Sequence, residues 1–417
     1  MQSMSLSMRR MAVMALVMAA VCAALVSSAR ADDGFDRWLA GIWPDAQRAG
    51  VSRATFETAT RGLTPDYSLP DLVIPGRPEK PQPGQPEFVQ TPAQYLREKS
   101  FDRLAAQGRK LEVQYGDALK RIEREIGVRP EILLAIWGRE TDFGRYKLPH
   151  NALQVLATQG YVGRRKDQFR TEFIDALRMI QDGSARADEM RSSWAGAMGL
   201  TQFLPSEFYK YGVDFDHNGR VDIFNSVPDA LAAAARQLVG KGWERGKGWA
   251  YEVRAPRSLD CTMADPDVRM PVGEWLKRGF VSAYDRPIET AARAEQASLF
   301  LPAGLYGPAF LTPKNFYVIK AYNFSDLYAL FVGHLSDRIR DAKPFETPWA
   351  KVDQPRTAQL EAMQKILEAR GFYHDKIDGK AGQKTRLALG AYQKAEHIAV
   401  DCWPTPQLLR HMGAASR

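Results

Sequence analysis

Apolar residues recur three and four positions apart along most of the chain, which is the spacing of one face of an α-helix. A clear example begins at Pro130, where proline followed by an acid is typical of a first helical turn, and Gly144 is the predicted stop. The same spacing predicts further helices: two within residues 35–70, one over 226–240 and one over 327–339. Helical signals dominate residues 91–342, without the alternation of strands and helices that indicates a doubly wound sheet. The predicted fold class is therefore mainly α.

Two segments interrupt this pattern and predict boundaries. Six prolines lie in residues 75–92, which excludes a helix or a central strand there and predicts an extended linker or strap. Residues 347–355 contain two more prolines and predict a second boundary. We therefore expect a main domain over residues 32–345 and a small module over residues 353–417.

The C-terminal module has the pattern of three short helices around a small core. Its first helix carries apolar residues from Leu360 to Leu367, and its second places Ala388 and Tyr392 one turn apart. Thr405 followed by proline is typical of the start of a third helix.

The first 31 residues have the three parts of a secretory signal peptide. Arg9 and Arg10 precede an apolar run over residues 11–26, and small residues lead to Ala31, after which cleavage is expected. The run is short for a membrane span, which needs about 20 apolar residues, and an uncleaved anchor is the alternative. No later stretch is apolar enough to span a bilayer, so we expect a mature protein in the periplasm without a transmembrane segment.

Composition and charge narrow the classes of partner. The chain is 45% hydrophobic and 25% charged, as in ordinary globular proteins, which excludes disorder as its main state. The net charge is +8, and three of the cations precede the predicted cleavage point. This mild basic bias suits an anionic polymer, and without a basic run it gives little support to binding of nucleic acid.

The mature chain keeps two cysteines, Cys261 and Cys402. An oxidising compartment allows them to pair, which would connect the two predicted domains. Two separate buried thiols are the alternative that the sequence favours.

The first candidate for chemistry is Glu140, near the end of the predicted helix that begins at Pro130. Trp137 lies three residues earlier on the same helical face, and a carboxyl beside an aromatic ring, partly out of water, has a raised pKa. Such a group suits a general acid at neutral pH, as it does in lysozyme. From this local pattern alone, an ordinary solvated glutamate is the favoured alternative.

The second candidate is the segment from Ser193 to Ser206, in which small residues are mixed with Trp194 and Phe203. The small residues permit close approach of a ligand or of another helix, and Ser193 and Gln202 are polar groups in apolar surroundings. A tightly packed buried helix agrees equally well with this composition.

Together these segments resemble the lytic murein transglycosylases of the B type. The motifs "WGRETDFG" around Glu140 and "SWAGAMGLTQFLPS" from Ser193 carry the resemblance, which spans residues 35–339. Four further motifs occur along the chain in the family's order. They are "QPEF", "GRR", "DFDHNGRVDIFNSVPDA" and "AYNFSDLYA". The C-terminal residues resemble the peptidoglycan-binding-one module, although the usual late Asp-Gly is here Asp401-Cys402.

The resemblance implies an α-rich, goose-lysozyme-like catalytic domain followed by a small three-helix peptidoglycan-binding domain. It implies an enzyme that needs no cofactor and cleaves the β-1,4 bond between N-acetylmuramic acid and N-acetylglucosamine, leaving a 1,6-anhydro end, with peptidoglycan strands as partner. Glu140 would be the single acid and base. The other residues implied in the cleft are Ser193, Gln202, Tyr322, Asn323 and Tyr328, with Arg164 and Arg165 meeting anionic groups of the substrate.

A single carboxyl agrees with this chemistry. Ordinary glycosidases need two carboxyls, about 5 Å apart in retaining enzymes and further apart in inverting ones. Asp142 is a poor partner for Glu140 because residues two apart on a helix point to different sides. In a transglycosylase the sugar's own C6 hydroxyl attacks, so no base that activates water is needed. A muramidase that hydrolyses the same bond, or a wall-binding scaffold without activity, is the alternative.

The third candidate is a loop that begins with Asp214, Asp216 and Asn218 and matches the start of an EF-hand calcium loop. Position twelve is Asn225 instead of the bidentate glutamate. Some relatives close a longer loop with a later aspartate, and Asp229 would serve here. We expect a weak structural calcium site, with a loop closed by its own hydrogen bonds as the alternative.

Overall fold

The computed structural model describes residues 33–77, 85–341, 343–353 and 355–413. The predicted signal peptide and its cleavage after Ala31 lie outside the described residues. Among those that are described, no helix is long and apolar enough to cross a membrane.

The chain forms two compact units. The first contains residues 1–80 and 149–197, and the second contains residues 81–148 and 198–417. The second unit includes both a large part of the predicted main domain and the predicted C-terminal module. The predicted boundaries at residues 345 and 353 are therefore not those of the units, and they stay a prediction.

The described part of the first unit is built mainly from four helices. Residues 35–70 contain the two predicted helices, and Ser52 caps the second by accepting a hydrogen bond from the backbone of Thr55. A two-stranded antiparallel ladder pairs His150–Asn151 with Arg191–Ser192. The helices are Asp33–Arg48, Arg53–Thr60, Ala152–Val162 and Lys166–Gln181.

In the second unit, one buried helix lies among the other helices that precede the C-terminal module. Pro130–Thr141 is buried from Ile132 to Gly138, and it packs against Glu98–Gln114 and Asp326–Asp341. A helix that is apolar on every side is stable only inside a protein core. The helices around it are Pro86–Val89, Pro92–Tyr95, Gly116–Ile126, Pro205–Tyr211, Val227–Gly240 and Lys314–Asn323.

The proline-rich segment is not wholly extended, so the prediction that excluded a helix there is wrong in part. Pro86 and Pro92 each begin a four-residue helix, Pro86–Val89 and Pro92–Tyr95. Proline is tolerated at the first helical position, where its missing N–H has no helical partner to lose. Thr91 is the N-cap of the second helix and forms reciprocal hydrogen bonds with Gln94.

A five-stranded antiparallel sheet lies within residues 91–342, where helical signals dominate the sequence and no strand was predicted. Its strands in spatial order are Met270–Pro271, Gln296–Phe300, Ala309–Thr312, Tyr251–Arg254 and Val281–Ser282. The strands are short, and Ala309–Thr312 is buried at every position. Buried strands of this kind show no alternation of apolar and polar residues, so the pattern contained no strand signal.

Short elements accompany the sheet. They are the helices Val272–Lys277 and Thr290–Arg293, the 3-10 turns Cys261–Met263 and Ala283–Asp285, and the strand Pro302–Leu305. Trp275 lies fully buried against them and donates its indole N–H to the carbonyl of Ala297, 2.9 Å away.

The C-terminal module has the three predicted helices, Thr357–Ala369, Gln383–Ala395 and Pro406–His411. The buried amide of Gln364 organises its centre. Its oxygen accepts hydrogen bonds from the backbone of Asp378 and Gly379, and its nitrogen donates to the side chain of Asp378. This explains why an Asp-Gly turn follows the first helix.

A disulfide joins Cys261, beside the sheet, to Cys402 of the module. Pairing was one of the two alternatives that the sequence left open, and it was the less favoured one. The module also contacts the strand Pro302–Leu305, whose Leu305 N–H donates to the carbonyl of Asp401. Gly304 faces that same carbonyl with a φ of 58°, and a Cβ there would lie 2.2 Å from it. Only glycine fits this contact.

We predict that a Cys261→Ala/Cys402→Ala protein loses about 2–5 kcal/mol of unfolding free energy, because the bridge closes a long loop in the unfolded chain. The two cysteines are 141 residues apart. Urea denaturation of the purified protein measures the loss. Wild-type protein with reductant is the control and should unfold at the variant's midpoint. Equal midpoints for oxidised and reduced wild-type protein would contradict the prediction.

Candidate active site

Glu140 lies at the last turn of the central helix, and the chain reverses directly after it. The helix ends at Thr141, and Asp142 adopts a left-handed conformation with a φ of 50°. The buried hydroxyl of Thr141 donates to the carbonyl of Leu200 at 2.7 Å and accepts from the N–H of Gly144 at 3.1 Å. These bonds fix the helix end and therefore the direction of the half-buried Glu140 side chain.

Two stacked tyrosines from the "AYNFSDLYA" segment lie beside Glu140. Tyr328 is fully buried, and its hydroxyl donates a hydrogen bond of 2.5 Å to Oε1 of Glu140. Tyr322 stacks parallel to Tyr328, with ring centres 6.1 Å apart, and donates to the carbonyl of Thr201 at 2.7 Å. Burial and the nearby carboxylate raise the pKa of Tyr328 well above its usual value. Tyr328 therefore keeps its proton and acts as a donor.

The pKa of Glu140 is raised to about 7, mainly because burial disfavours the charged form. The bond from Tyr328 and the charge of Arg139 act in the opposite direction, while the charge of Glu87 raises the pKa further. The sequence predicted a raised pKa from the neighbouring Trp137. The Trp137 ring instead packs edge-on against Tyr115 and Phe143. The pKa of Glu140 is therefore raised by burial within the whole site and not by this one ring.

Arg139 precedes Glu140 and is held by Tyr95. Its Nε and Nη2 donate to the Tyr95 hydroxyl at 3.1 and 2.8 Å, and its guanidinium lies 5.3 Å from the centres of the Tyr95 and Phe331 rings. The guanidinium thus has partners other than the Glu140 carboxylate. Sequence reasoning missed Tyr95, because it lies far from Glu140 along the chain.

Two further acids bear on whether Glu140 works alone. Asp142 pairs with Arg103 at 2.7 Å, which agrees with the prediction that it is a poor partner. Glu87 is buried and close enough to raise the pKa of Glu140. The sequence assigned Glu87 no role, although an acid between Pro86 and Phe88 in an apolar context was a signal that could have found it.

The segment from Ser193 to Ser206 is a loop followed by the start of a helix, so the alternative of a buried helix is wrong. Met198 pairs with Phe203 in an antiparallel bridge, with a tight turn between them. At Gly199, where φ is 73°, a Cβ would lie 2.6 Å from the carbonyl of Ile223, so this turn requires glycine. Small residues serve the turn, which is the reason for their concentration here.

The structure places the predicted polar groups of this segment in that loop. Gln202 has a φ of 59°, and its Nε2 donates to the carbonyl of Gly199 at 3.0 Å. Ser193 belongs to the first unit, where its hydroxyl accepts from the backbone of Ala195 and Ala197, both at 3.3 Å. Both side chains thus stabilise their own loops and are half-buried.

Arg164 and Arg165 also belong to the first unit, and both pair with Asp71. The distances are 3.2 Å for Arg164 and 3.6 Å for Arg165, and about half of each side chain stays exposed. Asn323 ends the helix Lys314–Asn323 and is half-buried, directly before the exposed Phe324. Of the predicted set, the structure brings Glu140, Tyr322 and Tyr328 together through contacts.

The predicted metal loop brings three carboxylates together. Oxygen atoms of Asp214, Asp216 and Asp229 all lie within 4.8 Å of one another. Buried Asp229 accepts hydrogen bonds from the backbone of Phe215, Asp216 and Asp222, at 2.7, 3.1 and 2.9 Å. Hard oxygen donors in this arrangement fit a divalent cation such as calcium. Asn218, the fourth predicted ligand, uses its side-chain oxygen to accept from the backbone of Arg220.

Comparison with known families agrees with the fold. Residues 34–337 match the Transglycosylase SLT domain, and residues 356–412 match the Putative peptidoglycan binding domain. The first match spans most of the chain, so the protein belongs to the lytic transglycosylase family. These are enzymes that cleave peptidoglycan, and the mainly α fold predicted from the sequence is confirmed.

Individual relatives define this placement further. The membrane-bound lytic murein transglycosylase B of Escherichia coli is 32% identical over 232 residues, which is 55% of this chain and 62% of the relative's length. SltB3 from Pseudomonas aeruginosa, solved with NAG-anhNAM-pentapeptide, has a TM-score of 0.82 at 36% identity and covers 91% of this chain and 99% of its own. The Escherichia coli lytic transglycosylase SLT35, solved with calcium, has a TM-score of 0.52 at 30% identity, over 60% of this chain and 80% of its own.

We predict that Tyr328→Phe raises the pKa of Glu140 above about 7, because the lost hydrogen bond stabilises the carboxylate. The protonated acid then persists to higher pH. A titration of Glu140 followed by carbon-detected NMR measures the shift.

Tyr322→Phe is the matched control, since its hydroxyl is bonded to a backbone carbonyl and not to Glu140. It should leave the pKa of Glu140 unchanged, whatever it does to the rate. An unchanged or lowered pKa in Tyr328→Phe would show that the hydrogen bond does not set the protonation of Glu140.

Proposed function

We propose that this protein is a lytic transglycosylase that cuts the β-1,4 bond between N-acetylmuramic acid and N-acetylglucosamine in peptidoglycan. The observation that carries the proposal is a half-buried carboxyl, Glu140, with a pKa of about 7 and a short hydrogen bond from Tyr328. A carboxyl with this pKa can both give and accept a proton near neutral pH, as one group with two successive roles must. The structures of SltB3 with NAG-anhNAM-pentapeptide and with NAG-NAM-pentapeptide support the substrate class.

The reaction needs no water. Glu140 gives its proton to the bridging oxygen as the bond from that oxygen to C1 of the muramic acid breaks. The C6 hydroxyl of the same sugar forms the new bond to C1, and its proton passes to Glu140. The acid is thereby restored, and the products have the same total mass as the substrate.

The contacts of the remaining predicted residues indicate different roles for them, either holding the acid or binding the sugar. Tyr328 has no exposed surface and is bonded to Glu140, so we assign it to holding the acid rather than to stacking on a sugar. Gln202, Tyr322 and Asn323 are half-buried in the second unit and suit hydrogen bonding to sugar substituents. We keep Ser193 as a predicted contact.

The two arginines, Arg164 and Arg165, are candidates for anionic groups of the peptidoglycan. Their shared carboxylate partner, Asp71, fixes their position and leaves each side chain partly exposed. The planar guanidinium presents its donors in a fork that matches the geometry of a carboxylate.

The module that matches a peptidoglycan-binding domain would hold the enzyme on the cell wall and raise the local concentration of substrate. We keep the predicted limits of a signal peptide over residues 1–31, a catalytic domain over 32–345 and a binding domain over 353–417. Export to the periplasm follows from that signal peptide and from the location of the substrate.

The alternative is a muramidase. It is favoured by Glu87, which is a second buried carboxyl near Glu140. Mass spectrometry of digested glycan strands separates the two reactions. Strands that end in 1,6-anhydro sugars are lighter by one water than strands with reducing ends. Reducing ends alone would contradict the transglycosylase.

We predict that Glu140→Gln lowers the rate of cleavage by about 10²–10⁴-fold, because an amide cannot give the proton. Release of anhydro-muropeptides from purified sacculi measures the rate, and sedimentation with sacculi checks that binding persists. Glu131→Gln, the same change in the first turn of the same helix, is the control and should keep the wild-type rate. An active Glu140→Gln protein would remove Glu140 from its role.

We also propose a weak calcium site at Asp214, Asp216 and Asp229, with Asn218 in the same loop. Asp229 already accepts three backbone hydrogen bonds, and Asn225 stands where a bidentate glutamate closes an EF-hand loop. Fewer free oxygens make a weaker site. The ion would stabilise the loop and take no part in the cleavage.

We predict that calcium raises the unfolding temperature of the wild-type protein and that Asp214→Asn removes this effect. Thermal unfolding with calcium, magnesium or chelator measures it. Asp188→Asn, a change at an exposed acid outside the loop, is the control and should keep the calcium response. No calcium response in the wild-type protein would leave a loop closed only by its own hydrogen bonds.

A further inference from the structure

A cavity of about 420 Å³ lies within the second unit, where the catalytic part meets the C-terminal module. One wall is the segment around Glu87 and Phe88, and a second is the turn from Lys320 to Leu327. The module supplies the third wall from Asp375 to Arg386. This volume is in the range of small-ligand sites and accepts one amino-acid residue.

Glu87 lines this cavity as a buried acid without a partner. Only 7% of its surface is exposed. Among the described residues, its carboxylate has no cation within 4.0 Å and accepts no hydrogen bond. A buried carboxylate without a partner costs free energy unless a ligand supplies one.

Arg386 lines the same cavity with the opposite charge. It is 7% exposed, and its Nη1 donates to the carbonyl of Ala381 at 2.6 Å. Its buried Nη2 has no hydrogen-bond partner, and the nearest carboxylate oxygen, on Asp326, is 4.0 Å away. One arm of the guanidinium is therefore left for an acceptor.

The lysines of the wall already have contacts. Lys320 pairs with Asp326 at 2.8 Å, and Lys384 pairs with Asp375 at 2.9 Å. Lys380 lies 3.6 Å from the centre of the Phe88 ring, in a cation–π contact. Of the charged side chains in the wall, Glu87 and Arg386 are more than nine-tenths buried and, in the described part of the chain, lack a close partner for the carboxylate and for one guanidinium arm. A ligand that complements both carries an ammonium and a carboxylate.

We propose that this cavity binds the diamino-acid residue of an uncross-linked stem peptide, with its free ammonium on Glu87 and its carboxylate on Arg386. The proposal rests on the proposed function, which brings stem peptides to this part of the molecule. In a cross-linked stem the same nitrogen is an amide, which has no positive charge. The cavity therefore selects strands whose stems are not cross-linked.

The position of Glu87 connects this cavity with the cleavage site. The charge of Glu87 raises the pKa of Glu140, so the two carboxyls lie within electrostatic reach. An ammonium paired with Glu87 cancels that charge. Binding of the free amine then lowers the pKa of Glu140, whereas an acylated amine leaves it raised.

Two muropeptide strands that differ only in a free or an N-acetylated side-chain amine test the proposal. Binding is measured by titration calorimetry on the inactive Glu140→Gln protein, so that the result does not depend on cleavage. We expect the free amine to bind about tenfold more tightly, as a hydrogen-bonded ion pair in a buried site allows. Equal affinities for the two strands would overturn the proposal.

Glu87→Gln in the same background should bind both strands equally. Asp375→Asn is the matched control, because it changes a carboxyl of the same cavity that already has a cation partner, and it should keep the preference for the free amine. A preference that persists in Glu87→Gln would also overturn the proposal.

The role of Arg386 is tested by changing the ligand and not the protein, because a substitution of a buried arginine can prevent folding. A strand with its diamino-acid carboxylate amidated should bind the unmodified protein about tenfold more weakly, and equal binding would remove Arg386 from the site. Failure of the proposed function has a different signature, since the wild-type protein would then release no anhydro products from either strand.

Discussion

The hydrogen bond between Tyr328 and Glu140 joins the two helices on which the site depends. Glu140 is at the end of a helix that is buried on every side, and Tyr328 is in the long helix that packs against it. Burial alone would keep the carboxyl neutral, and the bond from Tyr328 with the charge of Arg139 offsets part of that effect. The balance leaves a group that exchanges its proton near neutral pH, and the surrounding fold keeps both side chains in position.

The charged side chains near this carboxyl either have partners other than Glu140 or, in the case of Glu87, have no partner among the described residues. Tyr95 holds the guanidinium of Arg139 with two hydrogen bonds, and Arg103 pairs with Asp142. In a site of low dielectric, a mobile cation would pair with Glu140 and fix it in the ionised form. The buried acid Glu87 has the opposite influence, and its missing partner is the feature by which we connect the catalytic site with recognition of the peptide.

The sequence predicted the helices well, because their apolar spacing and caps are local. Thr405 caps the helix that it precedes, as expected, and the helix predicted over residues 226–240 is Val227–Gly240. The sheet was missed because its strands are short and Ala309–Thr312, at its centre, is buried at every position, which removes the alternating pattern. The motif made Glu140 a candidate, and its raised pKa was expected from Trp137. The main cause, burial, could not be predicted, since it depends on segments that are distant in sequence.

The close contact at Gly304 has a consequence for how the two parts of the chain can change. A side chain at this position would meet the backbone of the module, and the neighbouring bridge needs a cysteine on each side. A module without the matching cysteine cannot form the bridge, and a side chain at position 304 cannot approach the backbone of Asp401 this closely. Exchange of one part of the chain therefore requires a matching change in the other.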